Sequence, residues 1–411
     1  MTQLPRPAHP ALDSFPVVDD CLQVGGIPIT RLALRVGGPF YAYDRELLTG
    51  RVAALRRDLP QGIRLHYAIK ANPMPALVQH MAGLVDGLDV ASGGELKVAL
   101  DAGMPVDRIS FAGPGKTDRE IESAVAAGVG INLESFSEMR RVAEIGRRHG
   151  LTPKVAVWVN PDFELKSSGM KMGGGAKPFG VDAEKVPEML ENLGGLGMEF
   201  LGFHIFSGSQ NLKAQAIVEA QEKAVDLGIR LAKHAPSPVR VLNIGGGFGI
   251  PYFPGDVPLD VGEVGRHLDG LMPVVKAALP EAEVVLELGR YLVGEAGIYV
   301  TRVVDRKISR GQVFLVTEGG LNHHLAASGN FGQVIRKNYP VAVGNRMGSP
   351  ERETVSVVGP LCTPLDILAD RMELARADAG DLVVVFQSGA YGLSASPQDF
   401  LAHPRATEVL V

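Results

Sequence analysis

From about Phe40 the chain alternates between short apolar runs and longer stretches whose apolar residues recur every three or four positions. The runs cover residues 64–70, 87–92, 109–113, 131–135, 154–160, 200–206, 239–245 and 283–289, and most close on polar or glycine residues. Between them lie helical patterns such as 75–84, 94–102, 118–127, 137–149, 183–193 and 212–234. Eight strands, each followed by a helix, over roughly 250 residues predict an α/β fold, a (β/α)8 TIM barrel at residues 40–290. Beyond about residue 291 the pattern changes to Val-rich segments at 298–304, 313–317, 354–358 and 382–387. These predict a C-terminal antiparallel β-domain over residues 291–411. Residues 1–39 begin Pro-rich and read as an N-terminal extension that joins the β-domain, with the segment 22–43 adding a strand to it.

The 411 residues are too many for one ordinary core, which agrees with two domains. A formal net charge of −5 lacks the basic footprint of a nucleic-acid partner. Apolar runs such as 383–386 are too short to span a bilayer, and the N-terminus lacks a signal-peptide pattern. Only two cysteines occur, Cys21 and Cys362, too few for a disulfide framework and not spaced for zinc. The expectation is a cytoplasmic enzyme with no membrane, nucleic-acid or metal partner.

The active site of a TIM barrel lies at the C-terminal ends of its strands. The first run ends HYAIKANP, leaving Lys70 at the rim. The sixth ends HIFSGSQ, with His204 and Phe206 two apart and so on one strand face. The seventh ends NIGGGFG, and the eighth LELGR, which brings Glu287 and Arg290. Each has an ordinary reading: a solvated lysine, a tight glycine turn, a structural ion pair, a core histidine, a small buried cysteine. Together they supply what pyridoxal 5'-phosphate (PLP) chemistry requires. A lysine amine forms a Schiff base with the cofactor aldehyde. Backbone N–H groups of Gly246, Gly247 and Phe248, with the Ser209 hydroxyl, can cradle a phosphate. A carboxylate against the pyridine nitrogen keeps it protonated, so that the ring withdraws electrons.

The segments YAIKANP, DVASGGEL, FAGPGKT, HIFSGSQ, NIGGGFG, ELGR, GPLCTPLDIL and SGAYG occur in the order found in the alanine-racemase-fold PLP decarboxylases, which the chain resembles from about Phe40 to its end. That group includes the diaminopimelate, ornithine and arginine decarboxylases. The resemblance implies that Lys70 carries the cofactor as a Schiff base and that reaction passes through a quinonoid. It implies that Ser209, Gly245, Gly246, Gly247 and Arg290 surround the phosphate, with Tyr391 completing it, and that Glu287 holds the pyridine nitrogen. Cys362 would protonate the carbanion from the neighbouring subunit of a homodimer with shared sites. The related racemases place an arginine against the ring nitrogen; a glutamate favours decarboxylation.

Three departures bear on function. The histidine that usually stacks on the cofactor ring is Phe206, with His204 on the same face able to share the role. Leu288 replaces the usual proline between Glu287 and Gly289. Thr363 stands where an acidic residue usually follows the cysteine to pair a distal ammonium; Asp366 is the alternative partner, which keeps a diaminopimelate decarboxylase open. With KMGG, LNHH, IRKNYP and SGAYGLSASP, the chain looks more like a subgroup with the decarboxylase of a carrier-protein-bound glutamyl group and the decarboxylases associated with exosortase gene clusters. The expected partner is a small-molecule or carrier-protein-bound amino-acid substrate. Arg336 and Lys171 are candidates to hold its carboxylate or carrier, and residues 173–175 read as a lid hinge. A non-catalytic PLP carrier would resemble the barrel alone, whereas this chain continues through Cys362 and Tyr391.

Overall fold

The computed structural model describes residues 8–10, 13–164, 170–171 and 173–411. The chain divides into two compact units: Arg51–Ile250 with Pro258–Tyr291, and Met1–Gly50 with Pro251–Val257 and Leu292–Val411. The first is the barrel. Its strands are Ile63–Ala68, Gly87–Val90, Ile109–Phe111, Gly130–Leu133, Lys154–Asn160, Glu199–Ile205, Val241–Gly246 and Glu283–Leu288. Each pairs in parallel with the next, and the eighth pairs with the first. The helices that carry the chain back start on side-chain caps: Ser92 accepts from the Glu95 amide, Ser135 from the Glu138 amide, and Thr117 forms a reciprocal capping box with Glu120. These local signals make the eight-strand rhythm legible.

Residues in register on neighbouring parallel strands share a face. His66 is opposite Glu287, and His204 is opposite both Asn243 and Trp158. The apolar residues flanking His66 and Glu287, among them Leu65, Tyr67, Leu286 and Leu288, are buried on the alternate face. The upper barrel interior is therefore polar, where a barrel without a site is filled by branched aliphatic side chains.

In the second unit a thirteen-residue strand, Gly297–Ser309, carries the sheet. Its first half pairs antiparallel with Phe40–Tyr43 on one side and Leu382–Val385 on the other, and its second half with Gln312–Thr317. The sheet is mixed, because two pairings are parallel: Gln312–Thr317 with Arg352–Val358, and Phe40–Tyr43 with Thr407–Leu410. The long connection from residue 318 to 351 makes the first of these possible. Phe40–Tyr43 thus belongs to this sheet and not to the barrel, which starts at Arg51 instead of residue 40. Four consecutive buried residues read the same in either sheet; the pairing partner decides. Phe15, Leu22, Val24, Ile29 and Leu32 of the N-terminal extension form one core with Phe40, Ile298, Val300, Val384 and Phe386. Among the described residues, no helix is long and apolar enough to cross a membrane.

Beneath this sheet His324 is fully buried as a neutral imidazole. Its Nδ1 accepts the Ala327 amide at 3.2 Å, and its Nε2 lies 2.9 Å from Ser388 Oγ, whose own proton goes to the Val385 carbonyl. Burial pushes its pKa down to about 3. Above pH 6.5 neither the folded nor the unfolded form is protonated here. Below it the unfolded chain takes up a proton that the native state refuses. Stability should fall by about 1.4 kcal/mol per pH unit from this group alone between pH 6.5 and about 3. Urea midpoints at pH 7 and pH 5 test this: His324→Gln should flatten the dependence, whereas an unchanged slope would mean that His324 titrates normally.

Candidate active site

The first strand ends at Ala68, and residues Ile69–Ala71 wind one 3-10 turn, pinned by Asn72 N–H to the Ile69 carbonyl and by Tyr67 Oη to the Asn72 carbonyl. The turn leaves Lys70 half-exposed at the rim, its Nζ 3.5 Å from Glu287 Oε1 and 5.8 Å from the centre of the Phe206 ring. The other oxygen of Glu287, Oε2, accepts from Asn243 Nδ2 at 3.3 Å and lies 3.1 Å from His204 Nε2, off the axis of the ring N–H. Burial alone would raise the pKa of Glu287. The charge of Lys70, with His204 and Asn243, more than offsets it and holds the carboxyl well below the usual carboxylate range. Glu287 is an anion in the barrel wall.

The two aromatic candidates separate. His204 is buried and stacks on Trp158, with ring centres 4.4 Å apart at 17°. The flat face turned toward Lys70 belongs to Phe206.

After the seventh strand, Gly245 and Gly247 adopt φ of +70° and +73°. A Cβ on Gly247 would stand 2.2 Å from the Gly208 carbonyl oxygen, so this approach admits only glycine. Asn243 Oδ1 accepts the Gly245 amide at 2.8 Å, which ties the turn to the side chain that also holds Glu287. Residues 208–211 are stitched to 247–250: Asn211 N–H donates to the Gly247 carbonyl, Gly249 N–H to the Asn211 carbonyl, and the Gln210 amide bonds Ile250 in both directions. None of these bonds uses the Gly247 or Phe248 amide. Ser209 sits in this stitched segment, and Arg290 opens the helix Arg290–Val293 directly after the eighth strand.

A rim amine, a buried anion and a glycine-only turn of backbone donors fit an aromatic aldehyde phosphate with a basic ring nitrogen. A family model described as the pyridoxal binding domain of pyridoxal-dependent decarboxylases matches residues 45–294. The chain belongs to that family. It is a PLP-dependent carboxy-lyase. It is 38% identical over 388 residues to the L-glutamyl-[BtrI acyl-carrier protein] decarboxylase of Niallia circulans, covering 93% of this chain and 90% of that one. It is 34% identical to the diaminopimelate decarboxylase of Aquifex aeolicus, with 96% and 91% covered. The crystal structure of the M. jannaschii diaminopimelate decarboxylase in complex with L-lysine superposes with a TM-score of 0.87 at 26% identity, over 97% and 93% of the two chains.

Cys362, Thr363, Asp366, Arg336 and Tyr391 of this decarboxylase lie in the β-unit. Cys362 is exposed on its loop, and Thr363 Oγ1 accepts the Leu365 amide. Asp366 does not serve as a free carboxylate. It is buried, its oxygens accept the Leu321 and Leu361 amides at 2.6 and 2.9 Å, and Gly320 and Gly359 press against it so closely that a Cβ on either would overlap it. Arg336 is likewise committed, donating to the Ser328 carbonyl, Asn338 Oδ1 and the Ile367 carbonyl. Both hold the loops on which Cys362 and Thr363 stand. The Tyr391 ring lies 6.4 Å from Phe331. The backbone of Lys171 pairs with Gly208, and its side chain falls outside the described residues, as do residues 168–169 and 172 of the stretch expected to form a lid. Gly173 and Gly174 are tied by their amides to the Ser207 carbonyl and Asn160 Oδ1. Sequence reasoning passed over Asn243, Gln210 and Trp158. Asn243 and Gln210 stand inside the glycine and serine motifs, and Trp158 is the chain's single tryptophan.

Borohydride treatment of the PLP-loaded protein should attach the cofactor covalently, and peptide mapping should find it on Lys70. Label at another lysine would remove Lys70 from its role.

Proposed function

We propose that this enzyme decarboxylates an amino acid or aminoacyl group whose far end is neutral or acylated, such as a glutamyl group on a carrier protein. The observation that carries this reading is the absence of a spare carboxylate in the cysteine loop, residues 359–366. Thr363 follows the cysteine, and the only acid there, Asp366, already accepts two backbone amides. A buried distal ammonium facing a hydroxyl lacks the partner its desolvation demands. The carrier-linked glutamyl decarboxylase among the relatives supports the same choice.

When bound, PLP supplies the electron sink for the pair released as CO2 departs. Lys70 would hold its aldehyde carbon, Glu287 its pyridine nitrogen, and the glycine turn with Ser209 and Arg290 its phosphate. An anionic Glu287 would keep a proton on that nitrogen. Phe206 offers an apolar face that excludes water on one side of Lys70. The Cys362 thiol donates the proton that replaces the carboxylate.

We further propose that Cys362 acts from a second subunit. Phe331, Val334, Ile335 and Leu365 are all exposed, Val334 fully and Ile335 to 77%. Asn330 Nδ2 donates to the Leu365 carbonyl, joining the two segments beside the Cys362 loop. An apolar surface of this kind suits a covering partner, and a second copy of the chain meets that need with twofold symmetry.

Two experiments test these readings. A lost charge-assisted contact of ~2–4 kcal/mol corresponds to roughly thirty- to a thousandfold in specificity. CO2 release should accordingly be poor from free lysine, ornithine and meso-diaminopimelate, and better from carrier-bound glutamyl groups. A kcat/KM for meso-diaminopimelate of about 10⁴ M⁻¹s⁻¹ or above would make the protein a diaminopimelate decarboxylase instead. For assembly, Lys70→Ala and Cys362→Ala proteins should each be inactive, and mixing them should restore about one quarter of wild-type activity, from half the dimers with one intact site each. No recovery despite verified subunit exchange would place both residues in one chain.

A further inference from the structure

Helix Ala214–Ala232 lies against the sixth and seventh barrel strands and buries the stripe Ile217, Gln221, Ala224 and Gly228. The spacing is that of one helix face, and Gln221 is its only polar member. The side chain is 1% exposed, and neither its Nε2 nor its Oε1 has a hydrogen-bond partner among the described residues. A leucine or methionine would fill such a stripe without leaving a buried amide unsatisfied. Beside Gln221 is a cavity of about 10 Å³, lined also by Ile217, Ala220, Gly208, Gly246 and Gly247. It has room for one water, and it lies behind the glycine turn.

We infer that Gln221 is a positioning residue of the phosphate site, bonding the back of the glycine turn through one buried water and so holding the turn's donors toward the phosphate. The inference rests on the reading of that turn as the phosphate cradle. The turn is rich in glycine and its amides are its ligands, so its backbone needs an external anchor. Gln210 and Asn243 anchor its two ends by direct bonds. Gln221 reaches the middle, where only a water fits between. An amide serves here as a carboxylate would not, because a negative charge behind the turn opposes a phosphate dianion in front of it.

The test compares PLP with pyridoxal, which lacks the phosphate, by equilibrium binding to apoprotein prepared from the holoenzyme, for wild type, Gln221→Met and Gln221→Glu. Wild type should bind PLP much more tightly than pyridoxal. Gln221→Met should weaken PLP by about tenfold and leave pyridoxal within twofold, since a water-mediated bond of ordinary strength is lost. Gln221→Glu should weaken PLP further, and inorganic phosphate should compete less well in both variants. The urea midpoint of the Gln221→Met apoprotein should stay close to that of wild type, because one water-mediated bond is exchanged for a buried apolar side chain. Equal losses for PLP and pyridoxal, or an unchanged PLP affinity in both folded variants, would overturn the inference. A wild-type protein that does not distinguish PLP from pyridoxal would overturn the phosphate reading of the turn itself.

Discussion

Glu287 carries a negative charge into a part of the barrel wall that is closed to water, and the residues around it are those needed to keep it charged. An isolated carboxylate there would take up a proton. Lys70 supplies the opposite charge from the rim, Asn243 a neutral donor, and His204 a third contact held in place by Trp158. The arrangement makes the lysine and the carboxylate interdependent. Lys70 Nζ and Glu287 Oε1 stand 3.5 Å apart.

Asn243 links this charge to the second half of the site. One side-chain atom bonds Glu287, and the other bonds the first amide of the glycine turn. The position of the anion and the conformation of the turn are therefore set by one rigid side chain on one strand. The stitching of residues 208–211 to 247–250 adds stiffness where glycine would otherwise bring freedom. This division of labour is common in binding sites: donors come from flexible backbone, and order comes from side chains behind it.

In the β-unit the same chemistry serves architecture. Asp366 has the type and position to meet a substrate ammonium, but two backbone amides and two close glycines enclose it. Arg336 has the type to meet a carboxylate and instead ties three loop segments together. Both residues are invested in the loops that display Cys362 and Thr363, so the loop's chemistry toward a ligand is left to a thiol and a hydroxyl.

Much of the protein was legible in one dimension. Strand and helix periods, cap residues and the polar ends of apolar runs are properties of neighbouring residues, and they place eight strands within one or two residues and put Lys70, Glu287 and the glycine turn on one rim. The chain alone puts Phe40–Tyr43 both at the start of the barrel and in the segment 22–43 expected to add a strand to the β-domain. Four buried residues in a row suit either sheet, and the pairing with Gly297–Val300 decides for the second. The chain alone also could not tell Asp366 and Arg336 as scaffold from Asp366 and Arg336 as ligands, or His204 as the neighbour of Glu287 from His204 as a stacking ring. Those roles depend on which amides, carbonyls and rings arrive from distant segments. A polar side chain's function is decided by the partner that satisfies it, and that partner is chosen only when the chain folds.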